Sequence, residues 1–347
     1  MTTVNLAAVA SALQAEFEPD ITSQINRSGP LLRLLQTRPY RGQNITWDVR
    51  VGSASAGSSA AIAEGTDVST FNADTKVPAV LQYATMHEAF EVTGLALAAA
   101  ANSSQPAALV DLFSEELTSA AERLGKAIAE EIYGGTGASN RMTGLGTSSG
   151  LALGTAGTYA GLARGTYSQW ASNVLSNGGT ARALTLALMR QAMREAFIDC
   201  GERPDVIVCD PVQFDKYGAL FDSQKQYVYD VRTMSGTIKL DGNYRALEFD
   251  GRMIVEDINA TSGKMFFLNS RKVHLATLPP VNPMGSQSSN AAVPAVVEGM
   301  SAPTNIQVKI QPLAVLGDKY RFGLFAYVQP VVRAPNSCAV LEDLLTT

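Results

Sequence analysis

At 347 residues the chain is long enough for one large domain or two ordinary ones with ample core. Its 17% of charged residues beside 46% hydrophobic ones leave a surface poor in charge, which fits either area kept for subunit contacts or one large core. The net charge of −5 argues against a dedicated nucleic-acid reader, and Cys200, Cys209 and Cys338 are too few and too scattered for a disulfide framework.

The N-terminus lacks a basic stretch followed by a signal-type apolar run, and no stretch reaches the ~18 apolar residues of a membrane span. A soluble chain made in a reducing cytoplasm is expected. Residues 4–17 carry Val4, Leu6, Val9, Leu13 and Phe17 at helical spacing. Leu31 to Leu35 then form a small apolar anchor. Residues 1–40 read equally well as an arm that docks elsewhere or as a helix packed on its own core.

Asn44 to Val51 alternates apolar and polar residues as a half-buried strand does, and a second strand-like run extends from Val77 through Tyr83 to Val92. Between them lies a Gly/Ser/Ala passage followed by Glu64-Gly65-Thr66. The pair is expected to form a long two-stranded arm with a compliant tip, a device suited to reaching over a neighbour. Leu109, Leu112, Phe113, Leu117, Ala120, Leu124, Ile128 and Ile132 then predict a helix from Pro106 to Tyr133, closed by Gly134-Gly135.

Gly134 to Thr166 is rich in glycine, serine and threonine and predicts little regular structure outside Leu151–Leu153. A helix after Thr180 turns Leu184, Leu188, Met193, Ala196 and Phe197 inward and ends at Gly201. A buried strand within Pro204–Pro211 and a short helix over Val212–Leu220 follow, an α/β pattern. Later strands are expected at Ala246–Phe249, Arg252–Glu256, and Lys264–Leu268 continuing into Val273–Leu278. Pro279 to Pro303 is a linker or loop. Ile306 to Val315 and Tyr320 to Val328 then pair about a Gly317-Asp318 turn.

No catalytic constellation stands out. Gly146-Thr147-Ser148-Ser149-Gly150 matches a nucleophile pattern, with His274 and Asp257 as its only conceivable partners, yet no strand precedes it. Gly134-Gly135-Thr136-Gly137 ends a helix instead of opening one and lacks the lysine of a phosphate loop. His87-Glu88 leads to no second histidine, so no metal site and no cofactor are expected.

The order of these parts resembles that of tailed-bacteriophage major capsid proteins of the Hong Kong 97 type, over nearly the whole chain. Local stretches that carry the resemblance are Ala63-Glu64-Gly65-Thr66, Gly137 to Leu145, Pro204 to Cys209 with Phe214 and Tyr217, Phe249 to Val255, and Met265 to Asn269. The resemblance implies an α+β capsid fold: an N-terminal arm (1–40), an extended two-stranded loop (41–93), a peripheral domain with the long spine helix (94–144 plus 304–347), and an axial α/β domain with linker (145–303). It also implies a non-enzymatic virion protein, assembled in a host bacterial cytoplasm, that self-assembles into pentamers and hexamers forming an icosahedral shell around double-stranded DNA.

Partners expected on the same ground are a separate scaffolding protein, unless the chain has been processed, since the arm begins almost at Met1, together with a portal, decoration proteins and non-specific contact with packaged DNA. No membrane is involved. Subunit contacts are expected at Trp47, Phe71 and Tyr83, with Arg50, Glu64, Asp74 and Lys76 as polar registration. The lysine–asparagine crosslink of some relatives is not carried over, because Lys76 is the arm's only lysine and stands near its base. Two alternatives remain open: an encapsulin-like nanocompartment shell and a serine hydrolase using Ser148. A monomeric binding module is a third, blander one.

Overall fold

The computed structural model describes residues 29–52, 64–65, 75–95, 112–221, 246–279, 306, 308–313 and 317–346. The expected helix at residues 4–17 and the linker after Pro279 lie outside them. In chain order the elements are α1 (Pro30–Leu34), β1 (Gln36–Pro39), β2 (Asn44–Gly52), β3 (Thr75–Gln82), β4 (Ala84–Thr93), α2 (Leu112–Gly134), β5 (Thr158–Tyr159), β6 (Leu162–Ala163), β7 (Asn173–Leu175), α3 (Leu186–Cys200), β8 (Val206–Cys209), α4 (Pro211–Ala219), β9 (Ala246–Phe249), β10 (Arg252–Glu256), β11 (Met265–Leu268), β12 (Val273–Thr277), β13 (Val308–Pro312), β14 (Lys319–Val332) and β15 (Ala339–Leu341).

Two sheets organise them. In the first, β14 pairs with β4 over Lys319–Val328, with β13 over Phe322–Ala326 and with β12 over Val328–Val332, while β1 adds in parallel to β12. The second has the order β7-β15-β11-β8-β10-β9. Its central strands are apolar throughout because both faces are covered. Val206, Val208, Phe266, Leu268 and Val340 turn towards a core shared with α2 and the first sheet. Ile207, Cys209, Met265, Phe267, Ala339 and Leu341 turn to the opposite side, against Met189, Met193 and Ala196 of α3 and Phe214 and Tyr217 of α4.

The helix ends follow from local chemistry. Thr185 caps α3 by accepting from the Leu188 amide at 3.3 Å, and Gly201 closes it with φ +74° and an amide bond to Phe197 O. At the end of α2, a Cβ on Gly135 would stand 2.4 Å from the carbonyl oxygen of Met142, so only glycine lets the chain double back there. The return is fixed by Leu145 N donating to Ile132 O at 2.7 Å. At 23 residues α2 spans about 35 Å.

Four expectations need correction. The arm's second strand does not run to Val92: it ends at Gln82, and β4 joins the first sheet because its partner β14 supplies ten residues of ladder. β11 and β12 are not one continuing unit, since Asn269 to Lys272 turn the chain from the second sheet into the first. β15, placed with the 304–347 segment from the sequence, hydrogen-bonds between β7 and β11. Phe197, expected inside, is 44% exposed beneath the Arg203 guanidinium, whereas Ala196 takes the inward position.

Candidate functional site

The site the sequence points to is the two-stranded arm and the surface from which it springs. β2 and β3 are antiparallel, with Ile45 opposite Leu81, Trp47 opposite Ala79 and Val49 opposite Val77 on one face. On the other, Thr46 faces Val80 and Arg50 faces Lys76. The inward row is buried within its own subunit: Ile45 and Ala79 are fully covered and Trp47 is 7% exposed.

Trp47, expected as a contact to a neighbour, is thus packed mainly within its own subunit. Its ring packs 6.4 Å from that of Trp170, which in turn stacks on Tyr159 at 6.0 Å and donates its indole N–H to the Tyr159 carbonyl at 3.0 Å. A second tie comes from the hairpin β5–β6, whose turn residues Ala160 (φ +51°) and Gly161 (φ +78°) are both left-handed. That turn presents the Ala160 carbonyl to the Val80 amide at 2.9 Å.

What holds this glycine-rich seat in shape is Arg164, which sequence reasoning missed. Only 3% exposed, it donates to the carbonyls of Leu151 (2.7 Å), Ala152 (3.0 Å), Ala156 (3.0 Å) and Trp170 (3.1 Å), with its guanidinium 5.5 Å from the Tyr159 ring centre. The passage expected to be irregular is indeed mostly turns, yet Leu145, Ala152 and Leu153 are wholly buried. Nothing in a single arginine among glycines signals that role.

Of the other expected contacts, Arg50 and Lys76 are exposed on the outward face, and Glu64 stands exposed in a turn with Gly65 (φ +80°). Tyr83 is half buried, and its hydroxyl is buried without a hydrogen-bond partner among the described residues. Burial, and then the nearby Tyr40, raise its pKa. Phe71 and Asp74 lie outside the described residues. At the arm's root, a groove of about 610 Å³ runs between Val80–Tyr83, the Thr136–Thr143 turn and the Gly150–Gly161 region.

The hydrolase constellation does not come together. Ser148 sits in a turn, accepting from Leu151 N, with no helix behind it. The Nε2 of His274 is 2.8 Å from the Tyr40 hydroxyl, and Asp257 accepts from Tyr133 and Leu31. His87 stacks on Phe325 with ring centres 6.2 Å apart, and among the described residues no group of three metal-ligating side chains converges.

A seated two-stranded arm, a long helix and an α/β sheet with both faces covered make up the fold of a viral shell subunit. The chain resembles the subunit of the cyanophage A-1(L) capsid with a TM-score of 0.75 and 20% identity, covering 96% of this chain and 98% of that one. It also resembles the capsid subunit of an empty GTA particle (TM-score 0.62, 11% identity, 99% and 100% covered). The holo-SrpI encapsulin complex from Synechococcus elongatus PCC 7942 shares the fold at a TM-score of 0.55 and 13% identity, with 100% and 98% covered. No curated protein matches the chain by sequence.

The chain belongs to the SU10 major capsid protein family, whose model matches residues 2–301. It is a structural, shell-forming protein of the virion capsid that associates with copies of itself. Among the described residues no helix is long and apolar enough to cross a membrane.

Proposed function

We propose that the chain forms rings of five and six copies that close into an icosahedral shell around double-stranded DNA. The observation that carries this reading is the arm, anchored at its root by Ile45, Trp47 and Leu81 while its outward face and the Glu64–Gly65 turn stay exposed. Such an element, rigid where it starts and open beyond, suits a contact repeated from subunit to subunit around a ring. Arg50, Glu64, Lys76 and Tyr83, with Phe71 and Asp74, are the residues through which the arm meets its neighbour.

The first sheet with α2 corresponds to a peripheral domain and the second sheet with α3 and α4 to an axial one. The segments expected for them, 94–144 plus 304–347 and 145–303, are amended by β1 and β12 on the former and β15 on the latter. The 1–40 segment docks by α1 and β1, and 41–93 reaches across, with β4 kept at home. A separate scaffolding protein, a portal and decoration proteins complete the assembly, and packaged DNA is touched without sequence preference.

Many weak contacts per subunit suffice for a durable lattice. The likeness to an encapsulin favours a second reading, a shell that encloses protein cargo. Purified particles decide between the two. Nuclease-protected double-stranded DNA inside them supports the virion reading, and particles filled with a single enzyme and no DNA overturn it.

A further inference from the structure

We propose that the groove at the root of the arm receives the Glu64–Gly65 turn of a second copy, with the Glu64 carboxylate paired to Arg141. The inference rests on the arm's crossing to a neighbour and names the place where it lands.

The groove's lining is polar and nearly neutral. Gln82, Tyr83, Thr136, Asn140 and Gln329 contribute to it, and Arg141 is the one charged residue among the described residues that line it. Arg141 is half exposed and only partly engaged at home. Its Nε donates to Glu131 at 2.9 Å, and one terminal nitrogen reaches Glu131 and, at 3.4 Å, the Gly134 carbonyl. The other terminal nitrogen makes no hydrogen bond among the described residues, leaving a donor that a carboxylate would satisfy. Tyr83 adds a hydroxyl that is buried and unpartnered in the single subunit.

The occupant must then be slender, polar and singly acidic. From Gly52 to Thr66 the chain is built of glycine, serine, alanine, one isoleucine, one glutamate and one threonine; Glu64 is its only charged residue, and Asp67 is the next along the chain. Glu64 and Gly65 form an exposed turn, with the small Ala63 and Thr66 on either side in sequence. From Asn44 to Gly52, β2 spans about 25 Å, with the groove at its root and the Glu64–Gly65 turn later in the chain. Contact between a turn on one copy and a groove on the next is head-to-tail, the arrangement that closes into rings.

The test is a crosslink in the full chain with Cys200→Ser, Glu64→Cys and Asn140→Cys, oxidised after assembly and run without reductant. The proposal predicts a ladder from dimers up to rings of five and six, with each variant carrying only one of the two introduced cysteines running as a monomer, since the native Cys209 and Cys338 are buried. Shells that form without the ladder, or with bonds only inside one chain, overturn the groove assignment and leave the shell reading intact. If the unaltered chain forms neither shells nor rings, the shell reading fails and the groove assignment fails with it. Charge reversal checks the pair itself: Arg141→Glu lowers shell yield about tenfold, and adding Glu64→Arg restores it. A folded double variant that stays impaired overturns the pairing of Glu64 with Arg141.

Discussion

Tyr133, near the end of α2, donates its hydroxyl proton to Asp257 at 2.9 Å, deep inside the subunit. The other occupant of the same carboxylate oxygen is the Leu31 amide of α1 at 3.3 Å, and Asn259 N donates to the second oxygen at 2.9 Å. One carboxylate thus joins the N-terminal segment, the spine helix and the end of β10. Burial raises the pKa of both Asp257 and Tyr133, which is the expected cost of placing the pair away from water.

Removing the Tyr133 hydroxyl leaves Asp257 two backbone donors, so Tyr133→Phe is expected to cost about 1–2 kcal/mol. Asp257→Ala strands a hydroxyl and two amides and should cost about 3–5 kcal/mol. Thermal unfolding of the purified subunit measures both. Equal effects of the two changes would show that the junction is not organised around Asp257.

Trp47→Ala should destabilise the isolated subunit by about 3–5 kcal/mol, because its ring is covered by Trp170 of the same chain. The near-ultraviolet circular dichroism of the indole pair should fall with it. A variant of unchanged stability that merely fails to assemble would return Trp47 to the subunit interface.

These two residues show how far the sequence could be read. The alternation around Trp47 marks a buried face but not whose core buries it, since Trp170 is remote along the chain. Tyr133 ends a legible helix, yet its bond to Asp257 depends on how the two sheets meet. β9 and β10 were legible to the residue because Asp250-Gly251, both left-handed (φ +47° and +77°), is a hairpin signal in its own right. The bounds of β11 and β12 were legible to within one residue, but not their parting, for two similar apolar runs go to different sheets through partners, Val208 and Val331, that no local pattern names.

Arg164→Lys should cost about 2–4 kcal/mol despite keeping the charge, because one ammonium cannot reach four carbonyls spread over Leu151 to Trp170. The loosened seat should also raise protease cleavage between residues 150 and 165. Lysine matching the wild type in both measurements would mean that the glycine-rich seat holds its own shape.

Acid should weaken the subunit through His274. Burial first, then Arg38 and Arg333, depress its pKa from 6.5 to about 4. The unfolded chain therefore takes up a proton between pH 6.5 and 4 that the folded one refuses, so this contribution is complete above pH 6.5 and lost as pH falls to 4. The full shift corresponds to about 3 kcal/mol. His274→Gln should lose correspondingly less stability between pH 7 and pH 4 in urea titrations. Parallel curves for the two proteins would remove His274 from the acid response.

The central claim is that this chain builds shells from copies of itself. Sedimentation velocity of the purified protein, with electron microscopy of the same sample, tests it most directly. The account predicts closed shells, or discrete rings of five and six that close when a scaffold or crowding agent is added. A protein that stays monomeric at every concentration, with scaffold and crowding agent present, would contradict it.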